Sequence, residues 1–237
     1  MIEPIGQLVW SPNGGNPPEI PNEDSLVFEF DDANLFSPSR FPGLDRVEGG
    51  LRANYGLRVA LHGAGTAWSE LFVGQAYRLR DDDTFEAGTG LSEHFSDYVG
   101  RLTVAPGDLI NLNLRFRMDR DNLAARRVSV GASGGPQWLR LSGSYVTLSD
   151  QPTSGVPSSV EQMTVSAGYR FAEHWRLSAT HQRDLAADGG SLLTGFGLSY
   201  VDECVDLSVR ATRHFTRELD IEDDTSVTVT LRLRNLG

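Results

Sequence analysis

The chain has 237 residues, 32 acidic against 21 basic, and a formal net charge of −11. All 21 basic residues are arginine. No stretch approaches the roughly 18–20 uninterrupted apolar residues of a membrane helix, and the acidic balance excludes a general nucleic-acid binder, which needs a basic footprint. Glycine (25) and proline (11) are too few for a disordered or collagen-like chain.

Alternation with period two recurs along the chain, and helical spacing is nearly absent. Period two is the mark of a strand, whose successive side chains point to opposite faces. It predicts about twelve strands: 2–11, 45–62, 66–80, 95–105, 109–119, 124–133, 137–148, 160–172, 174–185, 191–201, 204–216 and 225–235. In the fifth, Ile110, Leu112, Leu114, Phe116 and Met118 oppose Asn111, Asn113, Arg115 and Arg117. In the last, Val227, Val229, Leu231 and Leu233 oppose Thr228, Thr230, Arg232 and Arg234.

Strands of about 10–12 residues exceed the usual 5–6 of soluble sheets and suit a tilted strand crossing a bilayer. Connections after odd strands are mostly long (12–44, 81–94, 149–159, 217–224). Those after even strands are short, down to Glu173 and Asp202-Glu203. Long loops at one end and tight turns at the other is the layout of an antiparallel transmembrane β-barrel. A large soluble antiparallel sheet also alternates; strand length and loop asymmetry favour the membrane. Tyr169, Phe171, Trp175 and Tyr200 fall on the apolar face at the short-turn end, where an aromatic girdle would sit. Trp138 has the opposite parity and is expected to point inward.

The polar face carries Arg115, Arg117, Arg140, Arg170, Arg176, Arg210, Arg232 and Arg234. Guanidinium groups bind phosphate and carboxylate bidentately and remain charged. A collective role toward an anionic amphiphile is one reading; pairing of single arginines with carboxylates such as Asp206 is the other. Carboxylates concentrate instead in the long connections, where solvation or shared divalent cations would account for them. None has EF-hand spacing.

His62, His94, His174, His181 and His214 are scattered. His94 lies near Ser96 without an orienting third group, and His181 has apolar parity. P-loop, HExxH, CxxC and dinucleotide signatures are missing from the sequence, so no enzyme activity, metal site or cofactor is expected. Cys204 is the single cysteine; in an exported protein it would pair with another chain segment or remain a free thiol. The segment MIEPIGQLVW has none of the features of a secretory signal, so export would require sequence outside this chain.

A more specific signal is Pro21-Asn22-Glu23-Asp24-Ser25, Phe28 through Phe36 (FEFDDANLF) and Arg40 through Gly56 (RFPGLDRVEGGLRANYG). Gly74-Gln75-Ala76-Tyr77-Arg78, Ser96 through Arg101 (SDYVGR) and Tyr200-Val201-Asp202-Glu203-Cys204 continue it. These segments resemble the C-terminal part of the LptD family, the lipopolysaccharide-assembly or organic solvent tolerance proteins. The resemblance implies a large outer-membrane barrel in Gram-negative cells, with periplasmic short turns and C-terminus. It further implies that residues 1–237 are a C-terminal part of that barrel, without the N-terminal jellyroll and first strands.

The implied substrate is lipopolysaccharide, inserted into the outer leaflet without breaking a covalent bond. Implied partners are an LptE-type lipoprotein plug, a periplasmic bridge protein acting through the N-terminal domain, and outer-membrane lipid. The family position matching Cys204 forms a disulfide to the N-terminal region. Relatives often carry two adjacent cysteines there, whereas Val205 follows here, leaving one bridge at most. The alternatives are a passive porin-like channel and an outer-membrane lipid hydrolase using His181. About twelve strands alone would leave two unpaired edges in lipid, so the chain is expected to be half of a larger barrel and not a transporter by itself.

Overall fold

A computed structural model describes residues 1–12, 16, 19, 21–25, 29–79, 85, 88–149, 159–186, 189–215 and 223–234. They form twelve strands: β1 (Ile2–Ser11), β2 (Gly50–His62), β3 (Trp68–Arg78), β4 (Tyr98–Gly107), β5 (Ile110–Met118) and β6 (Ala125–Gly134); then β7 (Leu139–Ser149), β8 (Ser159–Arg170), β9 (Trp175–Asp184), β10 (Ser191–Val201), β11 (Val205–His214) and β12 (Asp224–Leu233). The strands belong to one sheet in sequential order, β1 to β12. All twelve expected strands are present. The antiparallel register keeps like faces together: Tyr169 opposes Leu177, Leu177 opposes Leu198, and Leu198 opposes Val209.

Connections after odd strands are 12–49, 79–97, 119–124, 150–158, 185–190 and 215–223; those after even strands are 63–67, 108–109, 135–138, 171–174 and 202–204. The expected asymmetry therefore holds. Most bounds lie within two residues of the sequence reading, and two starts differ by more. Strand β2 begins at Gly50, whose φ of 91° suits glycine, so residues 45–49 end the long connection instead of extending the strand. Tyr98, not residue 95, opens β4, because Ser96 is drawn off by its contacts to Ala76 and Asp97.

The chain divides into two compact units. Unit 1 comprises 1–106, 113–129 and 147–160. Its main buried apolar cluster is Phe30, Leu35, Phe72, Ala76, Phe85, Leu91 and Val99, with Ile5, Phe36 and Phe41 packed around them. This core lies between strand residues and the connections before β2 and before β4. Gly74 opposes Val99 and Gly56 in the sheet, and a Cβ on Gly74 would collide with the Leu35 side chain. Glycine here lets the connection approach the strand backbone. Unit 2 comprises 107–112, 130–146 and 161–237; one of its faces presents large apolar side chains to the surroundings.

Candidate functional site

The buried centre of unit 1 is a carboxylate held by three guanidiniums. The Glu48 and Arg40 side chains are 0% exposed, with Arg40 Nη1 2.9 Å from Glu48 Oε1. Arg78 bonds the same oxygen, and Arg52 Nη1 is 3.6 Å away. Arg40 also donates to Asn54 Oδ1 at 2.6 Å, Asn54 Nδ2 donates to Gln7 Oε1 at 2.8 Å, and Gln7 Nε2 donates to the Phe36 carbonyl at 3.0 Å. Residues 35–48 are thereby fastened to β1, β2 and β3. Burial pulls the Arg40 guanidinium down to about 10, against the opposing pull of Glu48, so Arg40 stays charged near neutral pH. Arg40, Glu48, Arg52, Asn54 and Arg78 stand in the segments that carry the family resemblance, but the sequence assigned them no role or contact. Glu48 was assigned to a strand, and its burial depends on a fold-back that periodicity does not encode.

The remaining carboxylates of this connection act as braces. Asp24 accepts the Leu44 and Asp45 amides at 2.8 and 3.1 Å, and these bonds hold its pKa below the usual carboxylate range. Asp31 accepts the Ala33 amide at 2.8 Å. Asp32 bonds Arg101 at 3.1 Å, and its burial raises its pKa. Arg101 also reaches Glu70 at 3.0 Å. Asp81, Asp82, Asp83, Glu86, Asp150, Asp188, Glu218, Asp220 and Glu222, part of the acidic set expected in the long connections, lie outside the described residues.

The eight predicted arginines separate into different environments. Arg115 lies 3.6 Å from Asp32 and 3.9 Å from Asp31. Arg117 is 1% exposed, donates to the Thr89 carbonyl at 2.8 Å and sits 3.7 Å from Asp97. It is buried within unit 1, because the 79–97 connection covers it. In unit 2, Arg140, Arg170 and Arg176 line one cavity of about 460 Å³ with Gln137 and Gly168. Arg210 and Arg232 line a second of about 280 Å³ with Asp206, Ser208, Thr228 and Thr230. Arg234 reaches Asp206 at 3.7 Å.

The other face of unit 2 is apolar and uncovered. Phe196 is 63% and Val227 66% exposed, and Met163, Val165, Leu177, Val209, Val229 and Leu231 share this exposure. Water would penalise such a surface at about 25 cal/mol per Å², and a bilayer would not. An aromatic chain runs along the 135–138, 171–174 and 202–204 turns: Trp138–Tyr169, Tyr169–Phe171, Phe171–Trp175 and Trp175–Tyr200, with centroids 5.1–6.4 Å apart. Trp138 corrects the expectation of an inward ring. It precedes β7 in the turn, so strand parity does not govern it, and its ring meets Tyr169 edge-on.

The proposed catalytic candidates are occupied locally. His94 Nδ1 donates to the Arg78 carbonyl at 3.0 Å, whereas Ser96 Oγ donates to the Asp97 carbonyl and accepts from the Ala76 amide, both at 2.8 Å. His181 contacts Thr194 Oγ1 at 2.9 Å. Cys204 is an exposed free thiol in the turn after β10, its amide donating to Asp202 at 2.8 Å. No helix of the described residues is long and apolar enough to cross a membrane, which says nothing of crossing by strands.

Comparison with known proteins gives these surfaces a family. The chain is 26% identical over 220 residues to the LPS-assembly protein LptD of Nitrosomonas eutropha and 25% identical over 220 residues to that of Nitrosomonas europaea. Each alignment covers 92% of this chain and 29% of the relative. The chain thus spans less than a third of the length of these relatives. The profile of the family described as LPS transport system D matches residues 1–175. The chain belongs to the LptD family.

Proposed function

We propose that this chain is a C-terminal part of the wall of an outer-membrane barrel that inserts lipopolysaccharide into the outer leaflet. The observation that carries the reading is the family match, which spans both the polar-buried connection of unit 1 and the first strands of unit 2. The two-faced strands support it: exposed apolar residues would face lipid and the arginine rows a lumen. In this reading the short turns are periplasmic, and a lipoprotein plug of the LptE type fills the lumen. A periplasmic bridge protein delivers lipopolysaccharide through an N-terminal domain of the whole protein. The role is transport, with no covalent bond broken in the substrate. In this reading Cys204, exposed in a short turn, pairs with a cysteine of the N-terminal region of the whole protein.

Depletion of the intact protein tests the reading. Surface lipopolysaccharide should fall and sensitivity to hydrophobic compounds should rise; unchanged surface lipopolysaccharide on depletion contradicts it.

A further inference from the structure

Three arginines of unit 2 line one cavity with no carboxylate in ion-pair reach among the described residues. Arg170 of β8 and Arg176 of β9 are direct cross-strand partners, and Arg140 of β7 lines the same cavity. Like charges placed opposite one another in a sheet are destabilising. Many of the other arginines have a carboxylate within reach: Arg101 has Asp32 and Glu70, Arg126 has Asp119, and Arg234 has Asp206. Among the described residues, none of Arg140, Arg170 and Arg176 enters an ion pair. Gln137 adds an amide to the same lining, and Gly168 leaves it open.

Backbone bonds fix the frame: the Arg170 amide donates to the Trp138 carbonyl at 2.8 Å, and the Leu139 amide to the Pro136 carbonyl at 3.0 Å. The neighbouring Tyr169, Phe171 and Trp175 form the aromatic chain of the opposite face. The arginines therefore lie at the depth of the interfacial girdle, on the polar side.

We propose that Arg140, Arg170 and Arg176 form a phosphate-group site at the short-turn end of the polar face. Three guanidinium forks supply more donors and charge than one carboxylate can use, and they match the several oxygens of a phosphate. The cavity of about 460 Å³ leaves room for the sugar of a phosphorylated glycolipid as well as for the free ion. The site deepens the transport reading and rests on it only for the source of the phosphate.

The test uses the full-length outer-membrane protein that carries this chain, folded in zwitterionic detergent, with thermal melting as readout. Inorganic phosphate is titrated against chloride at equal ionic strength; separate arms add phosphorylated lipid A or its dephosphorylated form. Either phosphate or phosphorylated lipid A should raise the melting temperature, which identifies the source as free or lipid-borne. Arg170→Gln should raise the half-saturating concentration of the active probe by about tenfold, the equivalent of one lost charge-assisted bond. Arg170→Lys, which keeps charge without the fork, should fall between. The triple glutamine variant should melt in chloride no lower than the parent, since removing it relieves repulsion. The proposal is overturned if neither probe shifts melting, if dephosphorylated lipid A acts equally, or if the triple variant responds as the parent does. A triple variant that melts well below the parent in chloride also overturns it. The depletion phenotype is scored independently, so loss of this site leaves the transport reading standing.

Discussion

Arg40 and Glu48 meet at 2.9 Å with neither side chain exposed to solvent, and Arg78 and Arg52 close on the same carboxylate. Removing that carboxylate leaves three buried guanidiniums facing one another. Glu48→Gln should therefore destabilise unit 1 by about 3–5 kcal/mol, the usual consequence of breaking a buried pair from one side. Glu173→Gln, whose side chain is 88% exposed, should change stability by less than about 0.5 kcal/mol. Denaturant melts of the two variants make the comparison.

Gly74 offers a steric test of the same fold-back. A side chain at this position would displace Leu35, one of the fully buried apolar residues. Gly74→Val should cost about 1–3 kcal/mol through overpacking and open the connection before β2 to limited proteolysis. A variant cut no faster than the parent would contradict the packing described.

The acid dependence of unit 1 has a definite sign. Burial raises the pKa of Asp97, against the pull of Arg117. The folded state then binds more protons than the unfolded chain between the ordinary value of 3.8 and the raised value, so stability from this group is present below 3.8 and lost as pH rises through the folded pKa. Asp97→Asn should remove that part of the dependence. Melting curves of parent and variant, followed upward in pH from the ordinary carboxylate pKa, should diverge in slope; parallel curves would contradict the assignment.

Cys204 is exposed beside Asp202. In the intact oxidised protein it should resist maleimide labelling until reduced, and Cys204→Ser should abolish a reductant-sensitive mobility shift on electrophoresis. Full labelling without reductant would show a free thiol instead.

Much of the sheet was legible because period two is written residue by residue. Val227, Val229, Leu231 and Leu233 alternate with Thr228, Thr230, Arg232 and Arg234, and β12 runs where that alternation runs. The aromatic run was legible for Tyr169, Phe171, Trp175 and Tyr200 but not for Trp138, because a turn residue escapes parity. The Glu48 network was not legible as chemistry. Its members come from β1, β2, β3 and a long connection: strand pairing sets Gln7 opposite Asn54, but only the fold-back brings Arg40 to Glu48 and Glu48 to Arg78. Arg117 shows the same limit: alternation gave its face, and the covering Thr89 and Asp97 made it buried.

The central claim is that β8–β12 present one face to lipid and the other to water. In a Cys204→Ser background, single cysteines at 227, 228, 229 and 230 of the full-length protein, labelled with an environment-sensitive fluorophore in vesicles, test it most directly. Lipid-borne quenchers should dim the labels at 227 and 229, and aqueous quenchers those at 228 and 230. Quenching by one phase alone at all four positions, or without period two, would contradict the account.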